Sequence, residues 1–203
     1  FRLGQFQANC YLVSDLESKT GFIVDPGDNS QQIFDKIQLE NINIKYIVLT
    51  HGHFDHTNGL QYFSQLFPNA LILMHNADKQ IYEEQAEQFI HWKIQIENPI
   101  LHKITYFEQD QVLTIGKYIF KTIHTPGHSP GSICIYNEKV IFSGDTLFAN
   151  NIGRTDFIGG NMKQMKESLQ LLRKTMADQK LYPGHDDIGN VYSALINVQV
   201  YYL

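Results

Sequence analysis

The chain has 203 residues, enough to bury one sizeable core as a single domain over 1–203, and its 43% hydrophobic and 18% charged residues exclude a disordered polymer. A formal charge of −5 and a pI near 6.0, without any run of five like charges, argue against a nucleic-acid groove or an anionic membrane surface as partner. No apolar run approaches a membrane span and no basic-then-apolar leader opens the sequence, so the expected location is cytoplasmic. Cys10 and Cys134 each sit beside apolar residues and read as buried, reduced thiols.

In chain order, residues 21–25 (GFIVD) read as a short strand stopped by the turn signal Pro26-Gly27. Asp28 to Ser30 offer caps for a helix over 30–40, whose Ile33, Phe34 and Ile37 share one face. Residues 46–49 (YIVL) predict a buried strand, 57–67 a helix closed by Pro68, and 70–74 another strand. The polar segment 75–98, which carries Trp92, predicts one or two helices over an edge of the core. After Pro99, short strands are expected at 104–107, 112–115, 118–124, 132–136 and 140–143. A helix over 162–174 places Met162, Met165, Leu169 and Leu172 in one apolar stripe, read as core. Leu181-Tyr182 is a last short strand, and the tail 191–203 is apolar enough to pack. This order, without repeat or linker, predicts an α+β architecture of two sheets flanked by helices.

The segment Thr50-His51-Gly52-His53-Phe54-Asp55-His56 follows directly on the 46–49 strand. Packing that many imidazoles and a carboxylate together costs desolvation and repulsion unless a cation holds them. In such a loop His51 and His53 can point one way while Asp55 and His56 turn another, as two neighbouring ions would need. Further candidates recur where strands should end: His128 in HTPGHSPGS (124–132), Asp145 in FSGDTLF (142–148) and His185 in YPGH (182–185). Together they supply five His and two Asp, enough for two divalent ions with one carboxylate between them. Zinc is the expected metal; iron or manganese also suits imidazole and carboxylate donors.

These motifs resemble the metallo-β-lactamase superfamily, and the HTPGHSPGS, GDTLF and PGH stretches resemble its glyoxalase II branch, the hydroxyacylglutathione hydrolases and their short relatives. The resemblance spans Asp25 to His185. It implies the αββα sandwich of that fold. It implies that His51, His53 and His128 hold one metal, that Asp55, His56 and His185 hold the other, and that Asp145 bridges both. The implied reaction is hydrolysis of a small acyl thioester such as S-lactoylglutathione, with Asp55 orienting a metal-bound hydroxide. The leaving thiol, with a parent pKa of roughly 8.5, needs no dedicated general acid.

The sequence also departs from that branch. Only 18 residues follow His185 in a chain of 203, so the glutathione-binding C-terminal domain of the full-length enzymes is expected to be absent. The branch's Gly-Lys-Phe-Tyr is replaced by Gly153-Arg154-Thr155-Asp156, and Asp187 stands where another tyrosine is found. Arg154 can hold a substrate carboxylate; the alternative is an ion pair with Asp156. The IGRTDF stretch (152–157) resembles short bacterial hydrolases and also persulfide dioxygenases, which use one iron, so that oxidoreductase activity is the runner-up. β-Lactam hydrolysis is disfavoured by Asp145, where those enzymes place cysteine or another ligand. His124 reads as a hydrogen-bonded strand end or as a support for a ligand. His75, His91 and His102 read as solvated, and Tyr11 is a candidate for the site entrance.

Overall fold

The computed structural model describes residues 1–88 and 96–202, so His91, Trp92 and Leu203 lie outside the described residues. A short ribbon, β1 (Arg2–Leu3) with β2 (Ala8–Asn9), leads into a five-stranded sheet. That sheet contains, in spatial order, β3 (Tyr11–Asp15), β4 (Thr20–Val24), β5 (Asn43–Val48), β6 (Leu71–His75) and β7 (Ile104–Phe107). β3 and β4 are antiparallel, while β4 through β7 run parallel. Parallel neighbours need crossovers. α1 (Gln31–Glu40) joins β4 to β5, and α2 (Phe54–Thr57) with α3 (Leu60–Leu66) joins β5 to β6. α4 (Lys79–Glu83) and α5 (Gln85–Gln88) follow β6.

The second sheet is six-stranded, in the order β13 (Gly189–Asn190), β12 (Lys180–Pro183), β11 (Val140–Gly144), β10 (Ile133–Tyr136), β9 (Tyr118–His124) and β8 (Val112–Ile115). Its pairs are antiparallel except β11 with β12, which α6 (Met162–Thr175) connects; α7 (Val191–Tyr202) closes the chain. Alternation along the strands sends Phe22, Val24, Val48 and Leu73 inward against Leu113, Phe120, Ile135 and Phe142 of the second sheet. Ile23, Ile47, Ile72 and Met74 face outward and bury Ile33 and Ile37 of α1 and Phe63 of α3. On the far side, Cys134, Ile141 and Leu181 receive Met165, Leu169 and Leu172 of α6 and Leu195 and Val198 of α7. The result is the four-layer αββα sandwich. Cys10 and Cys134 are both buried and free.

Several expectations need correction. The helix expected over 57–67 is two helices, because the Gly59 amide turns back to donate to the Pro26 carbonyl at 2.8 Å, breaking the run after Thr57. Met162 is exposed at the first turn of α6, so the core stripe begins at Met165. His75 is not solvated: β6 extends through it to pair with Phe107, and its ring stacks on His124 at 4.1 Å. β1, β2, β3 and β13 were not anticipated; three of them are two-residue strands, too short to leave a periodicity.

β9, β11 and β12 run in one direction, so the loops that follow them gather at one edge of the sandwich. The loop after β5 meets them there, where the Ile133 amide donates to the Thr50 carbonyl at 2.9 Å.

Leu169 is fully buried in the outer core. Truncation in Leu169→Ala is expected to cost about 3 kcal/mol through lost transfer energy and a residual cavity, read as a lower urea midpoint with an unchanged slope.

Candidate metal centre

The THGHFDH turn leaves β5 and enters α2, which presents Asp55 and His56 from its first turn, while His51 and His53 precede it. His128 comes from the loop after β9, Asp145 directly follows β11, and His185 follows β12 by two residues. Ligating atoms of His51, His53 and His128 lie within 4.8 Å of one another, and so do those of Asp55, His56 and His185. Asp145 lies between the two groups. Its Oδ1 is 3.4 Å from His56 Nε2, and its Oδ2 is 3.6 Å from both His128 Nε2 and His185 Nε2. The structure therefore brings together all seven side chains singled out in the sequence.

Fixed partners set which nitrogen faces the cluster. The Thr50 hydroxyl gives its only proton to Asp25 Oδ2 at 2.6 Å, so its 3.0 Å contact with His51 Nδ1 makes that nitrogen the donor. His51 Nε2 is left a buried lone pair without a hydrogen bond. His56 Nδ1 donates to Asp25 Oδ2 at 3.0 Å, and His128 Nδ1 donates to the Arg154 carbonyl at 2.7 Å. His128 Nε2 then faces His53 Nδ1 at 2.8 Å. Nitrogens at that spacing require a proton or a cation between their lone pairs. Asp25, whose role the sequence reading missed, also accepts from the Thr50 amide at 2.7 Å. Its oxygens are thus committed to orienting the site rather than to ligation. The only local signal was a carboxylate ending an apolar strand.

Electrostatics divide the cluster. Burial, then the neighbouring imidazoles, lowers His51 well below the usual histidine range. Burial and His128 hold His53 at about 3; burial holds His128 at about 4, with His56 adding repulsion. These are the neutral, ligating forms. Burial opposes charge on His56 too, but Asp145, Asp55 and Asp25 outweigh it and carry it to about 10. His185 is raised in the same way: burial opposes the charge, and Asp55 and Asp145 favour it. The carboxylates thus favour positive charge at these two rings, as they would favour a bound cation. Burial raises Asp145. The donor set, all imidazole and carboxylate, fits divalent metal ions.

The cluster floors a cavity of about 500 Å³ lined by Phe6, Phe54, Phe148, Ile152, Arg154 and Phe157 among others. The Arg154 guanidinium lies 4.2 Å from the Phe157 ring centroid and engages Asp156 through two hydrogen bonds of 2.9 and 2.7 Å. Of the two readings of Arg154, the structure displays the ion pair. His124 donates to the Pro130 carbonyl at 2.7 Å, a hydrogen-bonded strand end. His102 is exposed. Tyr11 donates to the Pro183 carbonyl at 2.6 Å and lines a separate cleft beside Arg2 and Asp187.

This geometry and fold are those of a known family. The chain belongs to the metallo-beta-lactamase superfamily, whose model matches residues 3–185. Within it, the chain is 32% identical over 185 residues to the hydroxyacylglutathione hydrolase GloC of Haemophilus influenzae, covering 90% of this chain and 83% of that protein. Among solved structures it superposes on TTHA1623 in a di-iron-bound form with a TM-score of 0.83 and 28% identity, covering 95% of this chain and 94% of that one. It superposes on the BLEG-1 B3 metallo-beta-lactamase with a TM-score of 0.82 and 28% identity, covering 95% and 93%. The chain is a metallo-hydrolase superfamily member of the glyoxalase II-like kind.

Cations that bind only the assembled cluster stabilise the fold by mass action. Stripping metal with a chelator is expected to lower the melting temperature by several degrees, and re-adding zinc, iron or manganese to restore it, as read by calorimetry.

Proposed function

We propose that His51, His53 and His128 hold one divalent cation, that Asp55, His56 and His185 hold a second with Asp145 shared, and that the protein hydrolyses a small acyl thioester such as S-lactoylglutathione. The observation that carries this reading is the position of Asp145, within 3.6 Å of nitrogens from both groups on the floor of an open cavity. Similarity to a hydroxyacylglutathione hydrolase along most of the chain supports the thioester class.

When bound, such cations supply Lewis acidity, which acidifies water and polarises a carbonyl. The residues do the rest. Burial works against charge on Asp55, yet His56 and His185 keep it ionised, able to accept a hydrogen bond from a water and fix its approach. Asp25 and Thr50 hold the Nδ1 sides of His51 and His56, so their Nε2 atoms point into the site, the His56 nitrogen able to ligate once a cation replaces its proton. Phe6, Phe54, Phe148 and Phe157 present apolar walls to the acyl and thiol groups and thin the water around the scissile bond. A substrate carboxylate would reach Arg154 only in competition with Asp156. In this reading residues 1–203 work as one hydrolase domain on a cytoplasmic small-molecule substrate, with neither nucleic acid nor membrane as partner.

Metal analysis, paired with S-lactoylglutathione hydrolysis, β-lactam hydrolysis and oxygen uptake on glutathione persulfide, tests the reading. About two metals per chain and oxygen-independent thioester hydrolysis are expected. His53→Ala and Asp145→Ala should fall to background while circular dichroism stays native. One iron per chain with oxygen uptake and no hydrolysis would establish the persulfide reaction instead.

A further inference from the structure

Asp78 belongs to neither group of candidate ligands, yet its carboxylate is fully buried and ties together the two loops that supply His51, His53 and His128. It ends a single helical turn, Asn76–Asp78, after β6. Its Oδ2 accepts from the Gly52 amide at 2.8 Å, between His51 and His53, and from the Ser129 hydroxyl at 2.6 Å, next to His128. Its Oδ1 accepts from the Gly131 amide in that same loop. One loop hangs from the first sheet and the other from the second.

The glycines of both loops make room for this residue. A Cβ on Gly52 would lie 2.9 Å from the Asp78 carbonyl oxygen, and a Cβ on Gly131 would lie 2.6 Å from the Asp78 amide nitrogen. The glycine inside HGH and the one in SPGS are therefore accounted for by one approaching backbone. Buried donors left unmet cost more than the bonds themselves contribute, so three donors converging on one carboxylate fix both loops in a single register.

We propose that Asp78 is the positioning residue for the cation held by His51, His53 and His128: it sets the spacing of the two loops before any ion arrives. The inference rests on the two-cation reading above and extends it to a residue outside the ligand set. Asparagine at this position has the same shape but only one acceptor oxygen for three donors, and its amide would confront one of them.

The test is zinc binding to purified wild type and Asp78→Asn, each dialysed against zinc buffered at graded free concentrations, with visible spectra of the cobalt-substituted forms. Wild type should bind two ions. In the variant one ion should need roughly 10–100-fold more free zinc, the other should bind as before, and one set of cobalt bands should shift. A purely structural role would lower the melting temperature and leave both affinities and both spectra unchanged. If Asp78→Asn does not fold, Ser129→Ala, which removes one donor and keeps the carboxylate, should weaken the same ion by a smaller factor. Wild-type affinity for both ions in whichever variant folds overturns the inference while leaving the two-cation reading intact. Wild type that binds no divalent cation overturns both.

Discussion

Five imidazoles and two carboxylates share one largely buried volume, and the rest of the molecule is arranged around the difficulty of keeping them there. Removing that many polar groups from water is unfavourable unless each is paired or a cation supplies the missing charge. The facing nitrogens of His53 and His128, and the upward pull of the carboxylates on His56 and His185, are both consequences of that pressure. A flexible chain would relieve it by moving apart. Here the ligands hang from strand ends that are buried on both faces, and the backbone has no such freedom.

Orientation is achieved by a few outer hydrogen bonds. Asp25 accepts hydrogen bonds from Thr50 and His56, Thr50 accepts one from His51, and the Arg154 carbonyl accepts one from His128. Each contact fixes one ring tautomer and leaves the opposite nitrogen aimed at the cluster. Arg154 thus serves the site through its backbone, whatever its guanidinium does.

The proteins this chain resembles over most of its length carry names as different as a hydroxyacylglutathione hydrolase and a B3 metallo-beta-lactamase. The fold alone therefore does not choose the substrate. The choice falls to the cavity wall, built in this chain from the segment around Phe6, the α2 entry at Phe54 and the stretch from Phe148 to Phe157. Those segments lie largely in loops, where sequence varies most freely on a constant scaffold.

Much of this was legible in the chain itself. The strands over 104–107, 112–115 and 118–124 stand where alternation put them, and the THGHFDH turn announced its ligands because so many polar groups so close together have no bland explanation. The structure gathers the seven residues in one place, His51 near His53 and His128, and Asp55 near His56 and His185, with Asp25 also beside His51 and His56. What the sequence could not display was anything depending on one element meeting another. The break at Gly59, the burial of His75 and the parts played by Asp25 and Asp78 all come from contacts between segments distant in the chain or turned in unforeseen directions. Sequence determined which side chains exist and the periodicity that forms the sheets. Tertiary packing alone decided which buried carboxylate would satisfy which donor, because a hydrogen bond across 51 positions leaves no local trace in either partner.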